Sequence, residues 1–355
     1  MQGPRMIISS DRLQTLVSAI FAAAGCRAPE HERIAHYLVE SNLVGHDSHG
    51  VIRVPIYIQW LREGKVLANQ ELKIVFENEC IAIVDGQYGF GQTMGEKAMQ
   101  IGLAKVRKQG VAVVALRNPG HLGRIGDWAE MAARAGILSL HFVNTSGMGI
   151  LVAPHGGIER RLSANPVAAG IPIPGKPPMI WDISTSTIAE GKLKVAFNKG
   201  APVPDNCIID SEGKPTNDPK VFYGPPPGAI LPFGGHKGFG LGIIADVLAG
   251  ALTGNGCSNP VMADRLTNGM LTILLDPAVF QSEKDFTAEV QRFIDYVRSS
   301  KKVSPESEIL MPGEIEERNR VRRRREGIEL DEKTWGQILA TARSLNRDER
   351  SFAQR

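Results

Sequence analysis

The chain has 355 residues, enough for about two domains and a sizeable core. Hydrophobic residues make up 43% and charged residues 22%, and 41 Lys and Arg nearly balance 38 Asp and Glu; this excludes wholesale disorder, a collagen-like fibre and a broad positive field. Of the 38 Gly and 22 Pro, 15 and 14 fall between residues 144 and 240, so that stretch is turn-rich or site-forming.

In chain order, the pattern predicts a helix over 11–24 capped by Ser10 and stopped at Gly25, a second opening at Pro29, and a third after Gly50. In the third, Val51, Val54, Ile58 and Leu61 recur every three to four residues. The apolar run 16–25 belongs to the capped first helix and is not read as a signal peptide. Residues 72–78 and 80–86 read as a hairpin. A helix over 92–109, a strand over 111–116, a helix over 124–135 and a strand over 137–143 follow. The alternation predicts an α/β chain, and the early hairpin predicts a sheet that is not purely parallel. Beyond the Gly/Pro-rich centre come a helix over 237–252, a strand over 270–275 and two or three polar helices. The apolar run 241–252 is broken by Asp246 and too short to cross a bilayer, so no membrane segment is expected. Cys26, Cys80, Cys207 and Cys257 lie far apart with no C-x-x-C, which argues for a reducing, cytoplasmic setting without disulfides or structural zinc.

Five stretches could carry chemistry. Gly45–Arg53 (GHDSHGVIR) gathers two His, an Asp, a Ser and an Arg. On a continuous helix His49, Arg53 and Tyr57 would share one face, offering a proton donor beside a carboxylate clamp. Asp47, Ser48 and His49 cannot form a relay among themselves, because helix neighbours point about 100° apart. The plainer alternative makes Asp47 and Ser48 helix caps and the histidines surface residues. Asn118–Gly126 (NPGHLGRIG) is a strand-to-helix turn whose glycines allow close backbone approach around His121. Trp181–Thr187 (WDISTST) offers a carboxylate and hydroxyls suited to ribose or phosphate, though such turns are common. Pro232–Gly242 places His236 and Lys237 among glycines at a helix start, a phosphate cradle made of N–H groups, helix dipole and ammonium charge. It is not a P-loop, since Gly238 follows Lys237. Neither this stretch nor Gly89–Phe90–Gly91 completes G-x-G-x-x-G, because Ile243 and Met94 stand at the third glycine position, so a Rossmann fingerprint is missing. Finally, Arg318–Arg325 holds six Arg in eight residues. A nucleic-acid footprint is one reading, but the interleaved Glu314, Glu316, Glu317, Glu326 and Glu329 favour a solvated helix face. His46 and His49 lack a third ligand at a telling spacing, so no metal is expected.

Taken together, GHDSHGVIRVPIY, GHLGRIG, VAPHGG, SANPVAAGIP, WDISTSTIAEGK, GGHKGFGLGIIADVLAG and MPGE resemble, in order and over nearly the whole chain, the malate/L-lactate dehydrogenase family that is unrelated to the Rossmann lactate dehydrogenases. The resemblance implies an α/β, α+β-like, non-Rossmann nicotinamide-dinucleotide-binding fold with a mixed, largely antiparallel central sheet. It also implies a discontinuous helical domain from 1–75 and about 300–355, a cofactor-binding sheet domain over 76–299 carrying the Gly/Pro-rich insert, and a homodimer. The implied activity is interconversion of small 2-oxo and 2-hydroxy acids with NAD(H) or NADP(H), NAD(H) being favoured. Reduction of piperideine- or pyrroline-carboxylates is the alternative within the family. Carried over residue by residue, His49 matches the proton donor and acceptor, Ser48 its neighbour, Arg53 the carboxylate-binding position and His121 a second active-site histidine. The implied cofactor contacts are Gly123, Arg124 and Ile125; Ile180, Trp181, Asp182, Ile183, Ser184, Thr185 and Ser186; His236, Lys237 and Gly238; Asn268; and Pro312, Gly313 and Glu314. The rivals from other classes are a nucleic-acid-binding protein led by Arg318–Arg325 and a hydrolase using Ser48 as nucleophile.

Overall fold

The structure is a computed structural model that describes residues 5–259 and 264–346. Strand β1 (Arg5–Ile8) leads into helices α1 (Ser10–Ala23), α2 (Glu30–Leu43) and α3 (Val54–Arg62), the last preceded by two 3₁₀ turns, Asp47–His49 and Val51–Arg53. Then come β2 (Lys73–Glu77), β3 (Ile81–Asp85), α4 (Gly91–Gln109), β4 (Val111–Arg117), α5 (Gly126–Arg134), β5 (Leu138–Gly147), β6 (Val167–Ile171) and β7 (Met179–Ile183). The Gly/Pro-rich stretch continues through α6 (Glu190–Lys199), β8 (Ile208–Ile209), β9 (Pro215–Thr216), α7 (Pro219–Tyr223) and β10 (Ala229–Ile230) to α8 (His236–Asp246). A single π turn, Val247–Ala251, extends α8. The chain ends with β11 (Leu266–Leu275), α9 (Pro277–Phe280), α10 (Glu283–Arg298), α11 (Glu314–Glu326), β12 (Ile328–Asp331) and α12 (Glu332–Arg343).

Seven strands form one sheet in the order β2-β3-β4-β11-β5-β6-β7. Every pairing is antiparallel except β3 with β4. The sheet is therefore mixed and largely antiparallel, as the family resemblance implied. The lone parallel pair needs a crossover, and α4 supplies it. Val84, Val114, Leu116 and Leu274 from the sheet meet Met99 and Val106 of α4 and Trp128 and Ala132 of α5 in one core. A second core joins both ends of the chain: Leu13, Val17, Ile20, Phe21, Ile34, Leu38 and Ile58 pack with Ile328, Leu330 and Ile338. There β1 pairs antiparallel with β12. Each such side chain contributes about 1.5–3 kcal/mol on leaving water. A third core, including Val152, Leu193, Ile208 and Phe222, sits under the insert.

Three expectations need correction. The cap of α1 is Ser9, whose Oγ accepts from the Arg12 amide at 3.4 Å, so Ser10 is the first helical residue. The helix expected over 124–135 begins only at Gly126, leaving Gly123–Ile125 in the loop. The helix expected after Gly50 begins at Val54, because Gly50 is extended (φ −85°, ψ −153°) between the two 3₁₀ turns. His49 and Arg53 therefore do not share a helix face.

Candidate active site

What the broken helix loses, the loop around His121 restores. His49 and His121 stack with ring centroids 5.5 Å apart and planes 15° from parallel. The Ser48 hydroxyl lies 3.1 Å from His49 Nδ1, and the Tyr57 hydroxyl 2.6 Å from His121 Nδ1. Arg53 is folded back so that its Nε donates to the Ser48 carbonyl at 2.7 Å. Among the described residues its two terminal amino groups meet no protein acceptor, so the outer edge of the guanidinium fork is open. The four catalytic candidates thus converge, with Tyr57 as a fifth member.

The convergence depends on close backbone approach. Asn268 Oδ1 accepts from the Leu122 amide at 2.8 Å, fixing the residue after His121. On the other side the N-terminus of α4 abuts the same loop, where a Cβ at Gly91 would lie 2.1 Å from the His121 carbonyl oxygen. Only glycine fits there. The next residue, Gln92, is buried, and its Nε2 donates to the Tyr57 hydroxyl at 3.3 Å. Nothing in the sequence singled out Gln92; the only signal was the Gly89–Gly91 turn in front of it.

Electrostatics favour neutral imidazoles. Burial, then the neighbouring His121 and Arg53, hold His49 well below the usual histidine range. Burial and Arg53 push His121 down to about 3. Burial pushes Tyr57 up to about 12, while Arg53 and the Gln92 amide pull the other way. A carboxylate arriving at Arg53 would screen the part of the depression that comes from its charge and leave the larger part, which comes from burial.

The expected cofactor contacts fall into two adjoining groups. In the first, Asp182 Oδ2 accepts from the Gly126 amide at 2.7 Å, and the Ile180 amide donates to Pro312 O at 3.1 Å. This brings Gly123–Ile125, β7 and Pro312–Glu314 together. Arg124 is buried, with Nη1 2.7 Å from Asp127 and 3.4 Å from Glu130, while its Nε has no partner among the described residues. In the second, Thr185 O accepts from the Phe233 amide at 3.1 Å, so Ser184–Ser186 runs beside the start of α8. A Cβ at Gly238 would lie 2.4 Å from Phe233 O and 2.8 Å from Thr185 O. His236 and Lys237 are exposed at this helix start, and Trp181 is 39% exposed at the edge strand. The amides of Lys237, Gly238 and Phe239 already donate to Gly234, Phe233 and Gly235 carbonyls. The cradle is therefore made by side chains more than by free N–H groups. Both ends of the Asn268 amide are also engaged within the protein, Nδ2 donating to Asn144 O at 2.9 Å and Thr145 Oγ1 at 3.0 Å. Its part is to anchor the His121 loop.

The basic run is consumed by the fold. Arg320 is buried and pairs with Glu130 (2.7 Å), Glu40 (3.1 Å) and Glu317. Arg323 grips Asp47, Arg324 grips Glu40 at 2.7 Å, and Arg318 and Arg325 pair with Glu308 and Glu326. Five of the six arginines are thereby neutralised. Among the described residues no group of three or more His, Cys, Asp or Glu is placed to hold a metal, and no helix is long and apolar enough to cross a membrane.

Comparison with known proteins places this arrangement. Residues 8–339 match the family model described as malate/L-lactate dehydrogenase. Hydroxycarboxylate dehydrogenase B of Escherichia coli is 37% identical over 344 residues, covering 96% of this chain and 94% of the relative. The L-lactate dehydrogenase of Cupriavidus necator is also 37% identical, covering 96% and 98%. Among solved structures, sulfolactate dehydrogenase from Methanocaldococcus jannaschii superposes with a TM-score of 0.87 at 32% identity, over 98% of this chain and all of that one. A family match spanning nearly the entire chain, with a shared fold and relatives of equal length, leaves one assignment: the chain belongs to the malate/L-lactate dehydrogenase family.

Proposed function

We propose that this protein is a nicotinamide-dependent dehydrogenase that interconverts small 2-oxo and 2-hydroxy acids. The observation that carries the reading is the open guanidinium edge of Arg53 beside two stacked histidines. A planar fork matches a carboxylate in two parallel hydrogen bonds, which fixes the substrate's reacting carbon relative to the rings. The names of relatives acting on lactate, sulfolactate and hydroxycarboxylates support the substrate class.

The residues also suit a dinucleotide. Gly238 lets α8 open flush against the Phe233 and Thr185 backbone, exposed Lys237 and His236 at that helix start would meet phosphate, and Trp181 and Asp182 stand on the adjoining strand β7. When bound, the reduced nicotinamide supplies the hydride. The protein's own work is to hold the acid with Arg53 and to give the developing alkoxide a proton from His49 or His121. In oxidation the same ring takes the proton back.

A homodimer accords with α8 and its π turn, which leave Ile243, Ile244, Val247 and Leu252 exposed at 37%, 52%, 48% and 62%. The working setting proposed is the cytoplasm, and NADH the favoured donor. The test is absorbance at the reduced-nicotinamide band with a panel of 2-oxo acids and cyclic imino acids, each with NADH and NADPH. Consumption with a 2-oxo acid is expected. Consumption only with cyclic imines, or with neither, would overturn the substrate class.

A further inference from the structure

A hydrogen-bond chain runs from buried Gln92 through buried Tyr57 to half-buried His121, the candidate acid. Gln92 Nε2 donates to the Tyr57 oxygen at 3.3 Å. Gln92 fills one lone pair of the Tyr57 oxygen, and the Tyr57 hydroxyl, 2.6 Å from His121 Nδ1, is placed to donate its hydrogen there. A neutral imidazole that accepts at Nδ1 carries its proton on Nε2. We propose that Tyr57, held by Gln92, supplies the proton that His121 passes to the substrate oxygen, so that the imidazole never becomes the stored acid. The proposal rests on the 2-oxo-acid reading above and adds a residue to it.

Atoms and charge balance as follows. When bound, the reduced nicotinamide would supply a hydride to the carbonyl carbon, leaving the π pair on oxygen. That oxygen takes the Nε2 proton, forming O–H and breaking N–H. Nδ1 takes the Tyr57 proton, forming N–H and breaking O–H. The phenolate left behind keeps the Gln92 N–H bond and faces the Arg53 charge. After the hydroxy acid leaves, a solvent proton returns to Nε2 and the Nδ1 proton returns to Tyr57.

The surroundings favour this route over a histidinium acid. Charged and titratable groups facing His121 are Arg53 and His49 from the two 3₁₀ turns and Tyr57 from α3, with Arg124 three residues along its own loop. None is anionic at neutral pH. With His121 held down to about 3, only on the order of one molecule in 10⁴ would carry a histidinium at pH 7. A neutral histidine acting through its N–H is an established device where positive surroundings forbid the cation. Tyr57 acts through His121 and is a positioning residue, so its test needs more than a rate.

Two measurements decide the matter. In ¹⁵N-histidine NMR of the protein without cofactor, with the His121 signals identified by their loss in His121→Gln, the expected result at pH 7 is a neutral ring protonated on Nε2. A ring protonated on Nδ1, or a histidinium, overturns the proposal whatever the activity. In steady-state reduction of pyruvate or oxaloacetate by NADH, the wild type is expected to give a rate independent of pH between 6 and 8. Tyr57→Phe is expected to fall by about 10²-fold or more, and its residual rate to drop tenfold per pH unit because it then depends on the histidinium. An unchanged rate and profile in Tyr57→Phe would exclude the relay while leaving the dehydrogenase reading intact. Near-normal activity in His121→Ala would instead move the acid to His49 and end the proposal.

Discussion

Arg53 shows how much a single side chain depends on its backbone anchor. Its Nε is spent on the Ser48 carbonyl at 2.7 Å, which turns the remaining fork outward and ties the clamp to the residue before His49. Lysine carries its three donors on one nitrogen, so it cannot hold the Ser48 carbonyl and also present two parallel donors to a carboxylate. Arg53→Lys should therefore raise the KM for a 2-oxo acid by about tenfold to a hundredfold, the equivalent of about 1.5–3 kcal/mol for a charge-assisted bidentate contact, with a smaller change in kcat. Titration of initial rates against substrate checks this, and an unchanged KM would remove the clamp. His141 makes the contrast: burial also pushes it down to about 3, yet its two nitrogens are occupied by Thr272 Oγ1 at 3.1 Å and Ser139 Oγ at 3.0 Å inside the sheet. A depressed histidine marks this site only where an open cation stands beside it.

At the scale of elements, the site is an agreement among the ends of α3, α4 and the β4–α5 loop, and α4 sets the tightest limit. Because a Cβ at position 91 would lie 2.1 Å from the His121 oxygen and 2.4 Å from its carbonyl carbon, Gly91→Ala must displace backbone rather than a side-chain tip. Displacement opens the Tyr57–His121 bond as well. A loss of about 2–3 kcal/mol in stability and of at least tenfold in turnover is expected, checked by urea unfolding and by rates at saturating substrate. An alanine variant with wild-type stability and rate would show that the loop adapts freely. The same elements explain what could be read from sequence. The strands from β2 to β5 and the helices between them were legible because apolar periodicity and terminal glycines mark them. Loop contacts were not: Gly50 reads as a helix start yet is extended, and Gln92 carries no pattern because its partner Tyr57 is 35 residues away. The short β1–β12 pair was hidden for the same reason, since its partners lie at opposite ends of the chain.

For the whole molecule, the arginine run decides between two pictures of the protein. As an open basic stripe it would be an electrostatic footprint for nucleic acid; as found, it ties α11 to α2 and α5 through carboxylates. Arg320 is the centre of that tie. Burial alone would lift the Glu130 carboxyl, but Arg320 and then Arg124 outweigh it and hold Glu130 down to about 2. Removing one partner of a buried pair costs about 3–5 kcal/mol when the other is stranded. Here Glu130 keeps Arg124 and Arg134, and Glu40 keeps Arg324, so Arg320→Met should cost less, about 2 kcal/mol, read as a lower urea midpoint. Arg322, on an exposed face and bonded among the described residues only to Asn319, is the control, and Arg322→Ala should leave the midpoint unchanged. The effect should also travel: α11 begins at Glu314, directly after the turn whose Pro312 carbonyl receives the Ile180 amide of β7. Loosening α11 should therefore raise the dissociation constant for NADH several-fold in Arg320→Met and not in Arg322→Ala. Equal behaviour of the two variants in both measurements would mean that the run is a solvated surface and that α11 is held against α2 and α5 without its arginines.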